Sequence, residues 1–168
     1  NLPHFLNQNY RSFEIIVVND NSSDNTAQVL LEFQQKNPKL RTVNLYRSAF
    51  PGKKTALSTG IIASKYDFIL LSDADCRPCS RQWISLMQSS VQGAVRICLG
   101  YSPYRKNRGW LNRFIRFETV YTATQYLSFA LAGIPYMGVG RNLAYHKELF
   151  QRTRGFQKHM DLLSGDDD

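Results

Sequence analysis

Two aspartates separated by one residue, in Asp73-Ala74-Asp75, have the clearest potential for chemistry in this sequence. They follow residues 68–71, a short apolar run that predicts a buried strand. In the turn after a strand both carboxylates can face one cation, and Mg²⁺ and Mn²⁺ prefer oxygen ligands. The pattern predicts a metal site at Asp73 and Asp75, although aspartates at this spacing can also simply end a strand and cap the next helix.

Two further polar positions could contribute to such a site. Asp20 comes just after the predicted strand 13–18, which is apolar from Ile15 to Val18, and could accept a hydrogen bond from a nucleobase or a ribose. Lys53, next to Gly52, could contact a phosphate at the start of a helix. The Walker phosphate-loop pattern itself is not matched, because Arg47 stands where that pattern requires glycine.

Three consecutive aspartates, Asp166, Asp167 and Asp168, close the sequence. In an enclosed site, repulsion between like charges would raise the pKa of at least one of these carboxyls, which suits a general base. In a solvated tail the same residues would be inert. Both interpretations stay open on the residues alone.

The cysteines offer a different possibility, because Cys76 and Cys79 have the CxxC spacing of half a zinc site or of a redox pair. A structural zinc ion needs four ligands, and no second CxxC lies near Cys98. Three cysteines are also a poor disulfide framework. We expect reduced cysteines without a zinc or redox role.

Alternating strands and helices would position these residues. Predicted strands cover residues 13–18, 40–46, 68–71 and 95–99, and predicted helices cover residues 2–6, 26–36, 54–64 and 81–90. This order predicts an α/β fold with a mostly parallel sheet and helices on both faces. Ligands bind such sheets at the carboxyl ends of the strands, which is where Asp20 and Asp73 fall.

Length and composition further narrow the classes of protein to which this sequence could belong. A chain of 168 residues suits one domain with a sizeable core, and its apolar runs are far shorter than the roughly 20 residues of a membrane span. The net charge of +8 could favour nucleic acid, anionic lipid or phosphorylated substrates. Residues 105–116 are basic, and the aromatic stretch 110–131 predicts one or two amphipathic helices. These helices could pack on the sheet, or they could partly face a membrane or an acceptor.

Taken together, several segments resemble glycosyltransferase family 2, whose fold is called GT-A. The resemblance covers nearly the whole chain, and the segments follow the order of the family's motifs. The matching segments are residues 17–24 (VVNDNSSD), 52–57 (GKKTAL), 72–75 (SDAD), 138–145 (GVGRNLAY) and 164–167 (SGDD).

The resemblance implies donor-binding roles for five residues. Asp20 and Asn21 would bind the nucleobase, expected to be uracil, with Lys53 nearby. Asp73 would contact the ribose or the metal. Asp75 would ligate the metal, either Mg²⁺ or Mn²⁺.

The resemblance also implies an inverting transfer of a hexose from a UDP-sugar to a hydroxyl of a saccharide or lipid-linked acceptor. Asp167 would be the general base, but Asp166 stands where the family usually has glutamate, so either carboxylate could serve. Residues 1–101 would form the nucleotide-binding half of one domain, and residues 102–168 the acceptor-side half. The product would be a cell-envelope polysaccharide, made in the cytoplasm or at the cytoplasmic face of the membrane without a nucleic-acid partner.

The family's sheet has a central first strand that would precede Asn1, and many members carry a Gln-x-x-Arg-Trp motif and membrane helices that would follow Asp168. The sequence is therefore expected to be truncated at both ends. Two other functions stay open. A sugar-1-phosphate nucleotidyltransferase would need a glycine-rich basic loop near its first strand. A basic nucleic-acid-binding module would leave the carboxylates at the strand ends unexplained.

Overall fold

The computed structural model describes residues 1–46 and 53–157. The helices are α1 (Leu2–Leu6), α2 (Thr26–Lys36), α3 (Lys54–Ala63), α4 (Trp83–Ser89), α5 (Trp110–Leu131) and α6 (Lys147–Arg152). The strands are β1 (Ile15–Asp20), β2 (Leu40–Leu45), β3 (Phe68–Leu71), β4 (Ile97–Leu99) and β5 (Leu143–His146). A short 3-10 turn, Gly140–Asn142, leads into β5. The predicted elements of the first hundred residues lie within two residues of the observed bounds.

The strands form two separately hydrogen-bonded sheets. β1 and β2 pair in parallel, and their register runs from Ile15 opposite Leu40 to Asp20 opposite Leu45. β5 lies between β3 and β4 and is antiparallel to both. The predicted α/β class with a parallel sheet is confirmed. The antiparallel position of β5 was not predicted. The connection from β4 to β5 is long and contains helix α5, and a connection of this length allows either strand direction.

A cavity of about 740 Å³ lies between β1 and β3. Apolar side chains of both strands line it, among them Ile16, Val18, Ile69 and Leu71. The two strands belong to different sheets.

Helix α3 packs closely on β1 because a glycine faces the strand. A Cβ atom added at Gly60 would lie 3.1 Å from Cγ2 of Val18, which is tighter than an ordinary contact. Ile61, the next residue of the helix, is buried. This close packing fixes the start of α3, and with it Lys53, relative to the end of β1.

Helix α1 is fastened to the chain that follows β3. The buried side chain of Gln8 donates from Nε2 to the carbonyls of His4 and Ser80, each at 3.0 Å. The Phe5 ring meets the Trp83 ring edge-on, with centroids 5.6 Å apart. These contacts hold the segment after Asp73-Ala74-Asp75 against the amino-terminal helix.

Helix α5 is one continuous helix, and only one of its faces is packed. Tyr126 is buried and donates its hydroxyl to the carbonyl of Gly100 at 3.2 Å. Trp110 and Phe117, by contrast, are 79% and 67% exposed. The packed face is a narrow stripe of the helix, on which Thr119, Ala123 and Tyr126 are buried. Among the residues that the structure describes, no helix combines the length and the apolar character needed to cross a membrane.

Candidate functional site

The segment after β3 forms a tight turn that gathers three possible metal ligands. The backbone N–H of Cys76 donates to the carbonyl of Asp73 at 3.1 Å and so closes the turn. As a result, a carboxylate oxygen of Asp73, one of Asp75 and the Cys76 sulfur lie within 4.8 Å of one another. The Asn1 side chain donates to the backbone carbonyl of Asp75 at 2.7 Å and holds the turn from outside. Two carboxylates at this separation suit a hard divalent cation such as Mg²⁺ or Mn²⁺.

Lys53 and Asp73, both predicted to face the donor, lie together in the structure. The Nζ of Lys53 is 3.4 Å from Oδ1 of Asp73. Both residues also line the cavity between β1 and β3. An ammonium group beside the paired carboxylates gives this end of β3 charges of both signs, which is what a metal-bound phosphate ligand requires.

The thiol of Cys76 faces the carboxylates and not its CxxC partner. Burial raises the pKa of Cys76, and the carboxylates of Asp75 and Asp73 raise it further, while Arg141 opposes them. Cys79 is exposed, and both cysteines are free. Cys76 is thus a third possible donor atom beside the two aspartates, which the CxxC spacing did not indicate.

The end of β1 carries Asp20 and Asn21 on a framework of amides. The buried Asn19 side chain donates to Oδ1 of Asn44 at 3.1 Å and accepts a hydrogen bond from the Ser22 N–H at 3.2 Å. Asn21 has a φ of 54°, a left-handed conformation that asparagine tolerates better than most residues. The Asp20 side chain is exposed at the end of the strand. Sequence reasoning did not single out Asn19, although its place in an Asn-Asp-Asn turn was a usable signal.

Arg141 is a second cation at the end of β3, and no role was predicted for it individually. Its Nη1 donates to the Tyr104 hydroxyl at 3.3 Å, and the guanidinium lies over the Tyr104 ring, 5.2 Å from the centroid. Burial disfavours the charged guanidinium, but the Tyr104 hydroxyl, Cys76 and Asp73 outweigh that effect and raise the pKa of Arg141. The match of residues 138–145 to a motif of the family was the available signal.

Asn142 anchors the turn that carries this arginine to two separate segments. Its Oδ1 accepts a hydrogen bond from the Trp83 indole at 2.9 Å, and its Nδ2 donates to the carbonyl of Tyr101 at 3.2 Å. Its own carbonyl accepts from the Gly100 N–H at 2.8 Å. The 3-10 turn that carries Arg141 is thus fixed relative to α4 and to the end of β4.

Asp166 and Asp167, the predicted general-base candidates, and Gly52, beside Lys53, lie outside the described residues. The structure gives them no position relative to the rest of the site. Their roles stay predictions.

An α/β fold that places paired carboxylates and two cations at the end of a buried strand defines a class of domain suited to a metal-associated, anionic ligand. The particular family follows from comparison with known sequences. Residues 2–154 match the family model described as glycosyl transferase family 2, and the chain belongs to this family.

Individual relatives agree with this assignment. The chain is 32% identical over 156 residues to the probable glycosyltransferase YdaM of Bacillus subtilis, covering 85% of this chain and 35% of that protein. It is 40% identical over 74 residues to poly-beta-1,6-N-acetyl-D-glucosamine synthase of Staphylococcus epidermidis, covering 44% of this chain and 17% of the synthase. The chain thus spans only a minor part of the length of these relatives.

A solved structure shares the fold. The mannosyltransferase PcManGT from Pyrobaculum calidifontis, in complex with GDP-Man and Mn²⁺, matches with a TM-score of 0.70 and 18% sequence identity. The match covers 94% of this chain and 43% of the mannosyltransferase. At this identity the likeness shows the GT-A fold, which the sequence motifs predicted.

Proposed function

We propose that this domain transfers a hexose from a nucleoside-diphosphate sugar to an acceptor hydroxyl, with inversion at the anomeric carbon and with a divalent cation. The observation that carries the proposal is the turn Asp73–Cys76, where two carboxylates converge beside Lys53. Family membership favours this function over a nucleotidyltransferase or a nucleic-acid-binding module.

In the proposed reaction Asp75 and Asp73 hold Mg²⁺ or Mn²⁺. A cation bound there would neutralise charge on the departing diphosphate and act as a Lewis acid. Lys53, which contacts Asp73, offers an ammonium group to the same phosphates.

The acceptor hydroxyl would lose its proton to Asp167, or to Asp166 beside it, and then attack the anomeric carbon opposite the diphosphate. This part of the proposal is supported by the resemblance of the final segment to the family's base motif. Asp167→Asn should abolish transfer and spare donor binding. Asp166→Asn is the matched variant, which removes the neighbouring carboxylate in the same way. Loss of donor binding in Asp167→Asn would instead indicate a structural role.

The donor nucleotide is proposed to be a uridine diphosphate, with Asp20 and Asn21 at the base. The structural neighbour was solved with GDP-Man, so a guanosine diphosphate is the alternative to test. The proposed acceptor is a saccharide or a lipid-linked sugar of a cell-envelope polysaccharide. Similarity to a poly-beta-1,6-N-acetyl-D-glucosamine synthase supports that choice of product.

A location at the cytoplasmic face of a membrane is proposed for the protein that contains this domain. Its support is the start of α5, where exposed aromatic side chains lie next to basic ones. Such a surface suits anionic lipid headgroups. The aromatic members are Trp110, Phe114 and Phe117, and the basic members are Arg105, Lys106, Arg108, Arg113 and Arg116.

The experiment that tests the proposed function is a binding screen of UDP- and GDP-sugars by calorimetry, with Mn²⁺ and with EDTA. One nucleotide sugar should bind in a metal-dependent manner. Asp75→Asn should weaken that binding by more than about 100-fold, since even residues that merely orient metal ligands contribute about 10–100-fold. Asp67→Asn, at the opposite end of β3, is the matched control and should bind normally. Metal-independent binding, or full binding by Asp75→Asn, would refute the metal site.

A further inference from the structure

Arg141, next to the turn Asp73–Cys76, has one N–H group without a hydrogen-bond acceptor among the described residues. This group is the Nε–H, and Nε is enclosed by protein. A buried donor without an acceptor is costly, and buried guanidinium groups normally lie against a carboxylate. In the described parts of the chain, no ion pair joins Arg141 to Asp73 or Asp75. Within residues 1–46 and 53–157 the charge of this guanidinium is therefore not matched by a carboxylate, which leaves it able to serve an anionic ligand.

The guanidinium is also held in place before any ligand arrives. The Tyr104 ring supports one face of the group, and the Tyr104 hydroxyl accepts from Nη1. The backbone of the next residue, Asn142, is tied to Gly100. An arginine fixed in this way loses little conformational freedom on binding, and its planar set of donors matches the oxygens of a phosphate or a carboxylate.

The position of Arg141 favours a phosphate over a carboxylate as its ligand. Gly140, its neighbour in the 3-10 turn, lines the same cavity as Lys53 and Asp73. A divalent cation at Asp73 and Asp75 would cancel the charges of the two carboxylates. Lys53 and Arg141 would then face the ligand with one positive charge each, which matches the two negative charges of the diphosphate in a nucleotide sugar.

We propose that Arg141 binds the donor diphosphate through its guanidinium group, acting together with Lys53. The inference rests on the proposed function, because it assigns a residue to the donor of that reaction. It distinguishes Arg141 from the other arginines of this region. Arg105, for example, is exposed and one residue from Tyr104.

The test measures binding of UDP, GDP, the corresponding nucleosides and inorganic pyrophosphate in the presence of Mn²⁺. The proteins are the wild type, Arg141→Gln, Arg141→Lys and the control Arg105→Gln. Arg141→Gln should weaken binding of pyrophosphate and of the preferred diphosphate about 10- to 100-fold, and leave nucleoside binding unchanged. Arg141→Lys should recover part of the loss, because it keeps the charge but not the planar set of donors. Arg105→Gln should change binding by less than about twofold.

The outcomes separate the two proposals. If wild-type protein binds a diphosphate with Mn²⁺ and Arg141→Gln binds it equally well, the assignment of Arg141 is wrong while the proposed function stands. If wild-type protein binds no diphosphate, the proposed function fails and the assignment fails with it. Circular dichroism and urea unfolding of each variant establish that it is folded. Should Arg141→Gln not fold, the loss in Arg141→Lys relative to Arg105→Gln decides the question.

Discussion

The ends of β1 and β3 present two different kinds of surface. At the end of β1 the framework consists of neutral amides, since the side chain of Asn19 bonds to Asn44 on the neighbouring strand and to the Ser22 N–H. At the end of β3 the groups that come together are charged. Lys53 meets Asp73 across 20 positions, and Arg141 lies in the field of the same aspartate.

The difference indicates what each end is suited to bind. A neutral amide framework with one exposed carboxylate suits a flat, uncharged partner such as a nucleobase, which is recognised by hydrogen bonds. Opposed charges converging on one turn suit a metal ion and phosphates, whose binding is electrostatic. We therefore expect one donor molecule to contact both strand ends, with its nucleobase at the end of β1 and its metal-bound phosphates at the end of β3.

The largest effect that follows from this comparison concerns which ligand each strand end binds. Asp73→Asn should weaken binding of Mn²⁺-pyrophosphate about 10- to 100-fold, because it removes a charge from the metal turn. Asp20→Asn should leave pyrophosphate binding unchanged and weaken binding of the preferred nucleoside diphosphate about tenfold, the contribution of one charge-assisted hydrogen bond. Calorimetry of both variants with both ligands measures all four values. Equal loss of pyrophosphate binding in the two variants would mean that the ends act as one site, and the comparison would be wrong.

The next largest effect concerns the residues that support the charged end of β3. A Cβ atom at Gly100 would collide with the side chain of Asn142, which holds Trp83 and the 3-10 turn. Gly100→Ala should lower the free energy of unfolding by about 1–3 kcal/mol, as overpacking in tight sites does. Urea denaturation measures the change.

The control for that prediction is the double variant Gly100→Ala with Asn142→Ala. If the collision is the cause, the alanine at Gly100 should be much less harmful once the Asn142 side chain is removed. The same destabilisation in both backgrounds would contradict this explanation. The neutral end of β1 should keep its nucleoside affinity in folded Gly100→Ala protein.

Local signals predicted the strand ends well. The apolar residues 68–71 and the polar turn after them are adjacent in sequence, so β3 and the carboxylate pair followed directly from the pattern. The same is true of β1 and the turn at Asp20, where a run of β-branched residues precedes Asn-Asp-Asn. Turn chemistry and strand periodicity act over a few residues, which is why they are readable in one sequence.

Long-range features were not predictable in the same way. The pairing of Arg141 with Tyr104 joins positions 37 residues apart, and nothing in either local pattern indicates the other. The antiparallel insertion of β5 beside β3 depends in the same way on a connection of about seventy residues, which no local rule specifies. Lys53 could be assigned from the sequence, whereas Arg141, the second cation of the β3 end, could be assigned only after the fold had brought it there.

The smallest predicted effect concerns the Lys53–Asp73 pair. It tests whether the pair stabilises the fold or contributes to ligand binding. The two side chains are 53% and 41% exposed and 3.4 Å apart, and exposed ion pairs contribute only about 0–1 kcal/mol. Lys53→Gln should therefore change the urea midpoint little, yet weaken pyrophosphate binding about tenfold. A second lysine-to-glutamine change at the exposed Lys36, at the end of α2, provides the baseline for loss of one positive charge. If Lys53→Gln unfolded at much lower urea than Lys36→Gln and bound pyrophosphate normally, the ion pair would be structural. The charged end of β3 would then owe its affinity to Asp73, Asp75 and Arg141 alone.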